Sequence, residues 1–184
     1  KAMIKFLPLL TFSAALLAAT AGVGLAADKA SQLVLTTKHG TIVIDLAADV
    51  APLHVQRLKE LANAKFYDGV PFHRVIPGFM AQTGDPTGTG TGKSDKPNLK
   101  AEFSKRPFVK GTVGMARSAD PNSANSQFFI CLGDAPWLNN QYTVVGQVSS
   151  GMDVVEKIKQ APPGRQSGMV DDPDLLITVK GGSD

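Results

Sequence analysis

Cysteine is nearly missing from this 184-residue chain, where Cys131 stands alone. A single cysteine excludes an intramolecular disulfide framework and any multi-cysteine zinc or iron–sulfur site. Charge is sparse as well, at 19% of residues against 43% hydrophobic, a balance that excludes an intrinsically disordered chain. There is no internal repeat and no linker to split the chain. The length therefore reads as one domain with enough apolar material to bury a core unaided. The three histidines, His39, His54 and His73, lack metal-ligand spacing, and nothing supports a Ser/His/Asp triad. Cys131 lies in an apolar run without a basic neighbour, the setting of a buried small hydrophobe rather than a nucleophile. Gly92-Lys93-Ser94 resembles the end of a phosphate loop, but Thr87 occupies the place of the first glycine, and the polar Asp95-Lys96-Pro97-Asn98 follows where an apolar helix should begin.

Residues 6–27 carry no charge. They follow Lys1 and Lys5, are rich in Ala and Leu, and close on Gly24-Leu25-Ala26. A basic start, an apolar run and a small-x-small exit define a secretory signal peptide over residues 1–26, with the mature domain at 27–184. The run is also long enough for a retained membrane anchor, although Gly22 and Gly24 weaken a helix near its exit. Lipoprotein attachment would need a cysteine at the cleavage point, and Cys131 is far from it. Removing 26 of the 184 residues leaves 158, and with Lys1 and Lys5 gone the net charge falls from +3 to +1. The remaining Lys and Arg are scattered, so no basic face supports nucleic-acid binding. The same reading implies a periplasmic protein with no stable membrane contact after cleavage, and nothing requires more than a monomer.

The mature chain reads as a series of short strands. Gln32–Thr37 and residues 41–46 flank Lys38-His39-Gly40, a hairpin signal. Residues 49–65 place Val55, Leu58, Leu61 and Ala62 on one face, with Pro52 in the first turn, as in an amphipathic helix. Strand candidates follow at 72–76, 79–83, 112–116, 127–132 and 143–148. Ser150-Gly151-Met152-Asp153 resembles a capping box that opens a second helix with Met152, Val155 and Ile158 inward, and residues 175–179 form a closing strand. Strands in series with two helices indicate an antiparallel barrel or sandwich. Residues 84–98, rich in Gly, Thr, Lys and Pro, form a long surface loop of the kind that often carries function.

Two stretches are specific: Phe72-His73-Arg74-Val75-Ile76-Pro77-Gly78-Phe79-Met80-Ala81-Gln82-Thr83-Gly84-Asp85, and Met115-Ala116-Arg117 through Asn125-Ser126-Gln127-Phe128-Phe129-Ile130. Here the sequence resembles the cyclophilin family of peptidyl-prolyl cis-trans isomerases, in the exported bacterial branch, over nearly all of residues 32–179. The resemblance implies a mainly β fold: a closed eight-stranded antiparallel barrel capped by two α-helices, with the peptide groove outside. It makes Arg74 the catalytic arginine and Gln82 a substrate-binding glutamine. It also makes Phe79, Met80, Phe129 and Leu138 the walls of the proline pocket, Ala116 a backbone contact and Trp137 the pocket's border. Tyr142 stands where many members have histidine, and the loop 117–125 is one residue longer than the common form. Taken singly, the four pocket residues read more readily as barrel core, Arg74 as a solvated strand residue, Gln82 as a surface amide and Trp137 as a cover for the barrel end. Phe128, Ile130, Val113 and Val145 are assigned to the core.

The implied reaction needs no nucleophile, metal or cofactor. Its partners would be proline-containing segments of unfolded or extended exported proteins. Trp137 favours cyclosporin binding, while Tyr142 leaves its strength open. The same groove would also serve a proline-peptide binding module or holdase chaperone without turnover.

Overall fold

The computed structural model describes residues 31–182. The signal peptide read over 1–26, its cleavage, and the start of the domain at residue 27 lie outside these residues.

Alternating side chains build the fold. β1 (Gln32–Thr37) and β2 (Gly40–Leu46) pair antiparallel, with Leu33 opposite Ile44 and Leu35 opposite Ile42. All four are fully buried, while their polar or β-branched neighbours face the other way. α1 (Pro52–Asn63) and β3 (Arg74–Ile76) follow, then β4 (Met80–Thr83), β5 (Thr112–Met115) and β6 (Phe128–Cys131). β7 (Val144–Ser150), α2 (Met152–Glu156) and β8 (Thr178–Gly181) complete the chain. The strands form one curled antiparallel sheet in the order β3-β4-β6-β5-β7-β2-β1-β8. Inside it, Val75, Ala81, Ile130 and Val113 are register partners across four strands, and each is at most 1% exposed. Phe128 and Val145 join them, so all four residues assigned to the core lie there. α1 adds Val55, Leu58, Leu61 and Ala62, the stripe expected from its periodicity.

Three expectations need correction. β3 and β8, the two edges, do not pair with each other. Residues 168–177 run between them as coil and close the seam: Val170 and Phe72 donate to His73 and Asp174 carbonyls, and Ile177 donates to Thr36. The barrel is thus closed by single bridges rather than by a continuous ladder, and the last strand begins at Thr178, three residues later than the apolar pattern at 175–179 indicates. Leu175 and Ile177 are about half exposed on that seam. The second helix has no capping box. Gly151, not Ser150, is its N-cap, at φ 86°, and makes no side-chain cap. A Cβ there would collide with the Thr41 carbonyl, which is why a glycine precedes this five-residue helix.

Candidate active site

The alternation that fills the interior also builds an outer face. On β6, Phe128 and Ile130 point inward, so Phe129 and Cys131 must point outward. Register then sets Arg74 opposite Gln82 and Gln82 opposite Phe129, a row across β3, β4 and β6. The next row is Ile76, Met80 and Cys131. Gly114 on β5 ends the first row, and a Cβ there would lie 2.6 Å from the rings of both Phe108 and Phe129, so the stacked pair at 5.8 Å fits only over a glycine.

Around these rows lies a groove of about 450 Å³. Arg74, Phe79, Met80, Gln82, Ala116, Phe129, Trp137, Leu138 and Tyr142, the nine residues singled out in the sequence, all line it. Its floor is apolar: Met80, Phe129 and Leu138 are 2%, 5% and 7% exposed and belong to a second cluster, separate from the barrel interior. A 3-10 turn, Pro136–Leu138, sends Leu138 down into that floor and leaves Trp137 62% exposed, its ring 5.6 Å from Phe79. Tyr142 meets Phe129 edge to face at 5.9 Å.

The polar wall is one connected chain of donors. Arg74 donates from Nε to the Ser167 carbonyl (2.9 Å) and from Nη1 to Gln82 Oε1 (3.2 Å). Gln82 Nε2 donates to Gln127 Oε1 (2.8 Å), and Gln127 Nε2 donates to the carbonyls of Gly92 (2.8 Å) and Gly90 (3.1 Å). Burial draws the Arg74 guanidinium below its ordinary pKa, but from a value so high that it stays charged at neutral pH. Its Nη2 group has no hydrogen-bond partner among the described residues. The loop 84–98 is held from beneath by buried Asp85. Burial raises that carboxyl's pKa, but the Thr87 hydroxyl and the amides of Thr87, Gly92 and Gly90 outweigh it and leave the pKa low. Cys131 is fully buried, and burial, with the nearby Asp134 charge, pushes its thiol up to about 12, where it is inert at neutral pH.

Gln82, Ala116 and Arg117 also border a second basin of about 390 Å³ between the loops at 90–93 and 117–127. Gln127 and Arg117 were not singled out in the sequence. Both lie in the second specific stretch, but their roles depend on long-range pairing: β5 against β6, with the Ala116 amide donating to the Gln127 carbonyl, sets them side by side at the second basin, and Arg117 at the groove as well. Among the described residues, no group of three or more His, Cys, Asp or Glu is placed to hold a metal ion. No helix there is long and apolar enough to cross a membrane.

The site is thus an apolar pocket on the outside of an antiparallel barrel, bordered by a fixed arginine and a chain of amides. Residues 32–180 match the family described as cyclophilin type peptidyl-prolyl cis-trans isomerase, and the chain belongs to that family. A probable peptidyl-prolyl cis-trans isomerase of Brucella suis is 53% identical over 163 residues, covering 83% of each chain. Peptidyl-prolyl cis-trans isomerase-like 1 of Aspergillus fumigatus is 38% identical, covering 80% of this chain and 93% of its own. A cyclophilin crystal structure from Hirschia baltica superposes with a TM-score of 0.74 at 27% identity, over 85% of this chain and 76% of that one. A Cryptosporidium parvum cyclophilin type isomerase, crystallised in the presence of the dipeptide Ala-Pro, gives 0.74 at 25% identity, over 83% and 99%. The chain is accordingly a peptidyl-prolyl cis-trans isomerase.

Proposed function

We propose that this isomerase acts in the periplasm, as a monomer released from its signal peptide, on X-Pro bonds in unfolded or extended segments of exported proteins. The observation that carries its chemistry is the row Arg74, Gln82, Phe129, in which an incompletely used guanidinium stands beside an apolar pocket. Rotation about a peptide bond removes amide resonance, a barrier of about 18–20 kcal/mol. The two X-Pro isomers differ by only about 0.5–1 kcal/mol, so a catalyst has to bind the twisted amide better than either planar form.

In the twisted state the prolyl nitrogen regains a lone pair and accepts a hydrogen bond. Arg74 Nη2 is the donor for it, because Nε and Nη1 are already held by Ser167 and Gln82 and fix the plane of the fork. Phe79, Met80, Phe129 and Leu138 grip the pyrrolidine ring as the pivot and exclude water, which strengthens that bond. Gln82 and the backbone of Ala116 hold the flanking peptide groups, while Trp137 and Tyr142 close the two sides of the pocket. An acceleration of about 10⁵ corresponds to ~7 kcal/mol of differential binding, within reach of one charge-assisted hydrogen bond plus desolvation and orientation. Binding of the dipeptide Ala-Pro and of cyclosporin to this pocket belongs to the same reading.

Exchange of a short X-Pro peptide, measured by NMR or in a protease-coupled assay with Arg74→Ala alongside, tests this. Equal rates for the two proteins would remove the arginine from the mechanism. No acceleration, with stoichiometric suppression of aggregation surviving Arg74→Ala, would make the chain a holdase. N-terminal sequencing of the exported protein tests cleavage after Ala26.

A further inference from the structure

The groove and the second basin are lined by three basic side chains, Arg74, Arg117 and Lys93, and by no carboxylate. Arg117 borders both spaces. Its guanidinium lies 4.5 Å over the Tyr142 ring and donates to the Gln141 carbonyl from Nε (3.0 Å) and Nη2 (2.8 Å), and to the Ser118 carbonyl from Nη1 (2.9 Å). These partners are neutral, so the charge is fixed in position without being compensated. Lys93, on the opposite bank, donates to Asn98 Oδ1 at 3.2 Å. Among the described residues no acid forms an ion pair with Arg117 or Lys93: Asp85 is buried beneath the 87–92 loop, where the Gly90 and Gly92 amides donate to it, and Asp120 accepts the Asn122 amide within its own loop. Elsewhere on the described surface Lys and Arg commonly pair with acids, as at Arg106–Asp49 and Arg165–Asp171.

We infer that Arg117, with Lys93, selects client segments in which an acidic residue lies within two positions of the proline. This rests on the isomerase reading and specifies its substrate class. A peptide whose proline ring fills the apolar pocket runs past Gln82 and Ala116, the residues shared with the second basin, and so delivers its neighbouring side chains between Arg117 and Lys93. A carboxylate there meets two uncompensated cations at a partly enclosed surface, and a lysine meets repulsion. Because the Arg117 fork is already oriented, little further side-chain freedom is lost on binding.

The test compares kcat/KM for peptides carrying Glu, its neutral isostere Gln, or Lys at each of the two positions on either side of the proline. Wild type is expected to favour Glu over Gln by about fivefold at one or more positions, a difference of ~1 kcal/mol by the rule of ~1.4 kcal/mol per decade. Lys should fall below Gln there. The preference should fade at about 1 M salt, where charges are screened within roughly 3 Å. Arg117→Glu should invert the order, Arg117→Lys should keep it, and Lys93→Gln should weaken it without touching Tyr142. A Glu/Gln ratio near one at all four positions, or a ratio unchanged in the Arg117→Gln, Lys93→Gln double variant, overturns the inference while leaving the isomerase intact. NMR shift titrations with the same peptides read the charge preference separately from turnover, so loss of acceleration with preference retained breaks the isomerase reading and not this one.

Discussion

The groove and the α1 end of the barrel both draw charged groups out of water, and they treat them in opposite ways. At the α1 end, the helix starts without a side-chain cap of its own and has no acid in its first turn. Glu102, 48 residues away from His54, replaces that cap: its carboxylate accepts the amides of Leu53 (3.2 Å) and His54 (3.1 Å) and lies 2.7 Å from His54 Nδ1. The carboxylate completes the helix terminus and complements its dipole. In the groove, Arg74 is instead left with an unengaged Nη2, and Arg117 is held by neutral carbonyls and the Tyr142 ring. A charge that is fully partnered contributes to folding; one that is positioned but uncompensated has interaction energy left for a ligand.

Breaking each side separately should therefore produce opposite phenotypes. The largest effect is expected for Arg74→Ala, which should lower kcat/KM by about 10²–10³, or ~3–4 kcal/mol, as for loss of one preorganised donor to a transition state. Thermal unfolding should move little, since the Arg74 side chain is half-buried and makes two hydrogen bonds, while the backbone pairing of the residue is kept in the variant. Glu102→Ala should do the reverse. It strips the α1 terminus of its acceptor and leaves buried His54 unpaired, at about 2 kcal/mol, which for a domain of this size lowers Tm by roughly 4–8 °C. Its kcat/KM, measured well below the transition, should match wild type. A loss of activity in folded Glu102→Ala would mean that the two regions are coupled.

Gly168 sharpens the contrast because it belongs to the coil seam yet acts on the groove. Its φ is +72°, and a Cβ would collide with Ile76 and come within 3.3 Å of Arg74 Cγ. The adjacent Ser167 carbonyl holds Arg74 Nε. Gly168→Ala should tilt the guanidinium out of line and cost about tenfold in kcat/KM, with a smaller loss of stability from the strained backbone. Steady-state kinetics beside thermal unfolding would separate the two effects.

How far the sequence reveals these features depends on the range of the interaction behind them. β1, β2, the buried stripe of α1 and the β6 alternation rest on residues within a few positions of one another, and their patterns are plain in the chain. Six of the nine groove residues lie in two motifs, and Trp137, Leu138 and Tyr142 follow only from the family resemblance those motifs carry; ordinary burial tendencies alone put Met80, Phe129 and Leu138 in the core. They are indeed buried, but on the outer side of the sheet, a distinction that register makes and hydrophobicity does not. The seam escapes the pattern because Leu175 and Ile177 alternate like a strand although the closing contacts are single bridges. Ser150 resembles a cap in the sequence because the space beside Thr41, which only a glycine fits, has no local signature. Glu102 and Gln127 reach their partners across 48 and 45 residues, so neither role could be seen before the sheet was closed.

The smallest expected effect concerns acid, and it again divides the two regions. Burial pulls the pKa of His54 below its ordinary 6.5, against an opposing pull from Glu102, with Arg57 adding slightly to the fall. At the groove, burial likewise lowers the pKa of His73, opposed by Asp85. A histidine whose pKa is lower in the folded state binds its proton more readily when unfolded. Stability is therefore complete above pH 6.5 and declines as pH falls from there toward the lowered folded value, by at most ~1.4 kcal/mol per pH unit for each histidine. Asp85 and Asp174 have low folded pKa values and weaken the fold only further down, below about pH 4. Denaturant unfolding between pH 7 and 5 should thus show falling stability, and His54→Asn, which keeps a donor toward Glu102 but cannot titrate, should flatten about half of that slope. The remaining half belongs to His73 beneath the groove, so a flat profile in His54→Asn would mean that His73 does not share in the decline.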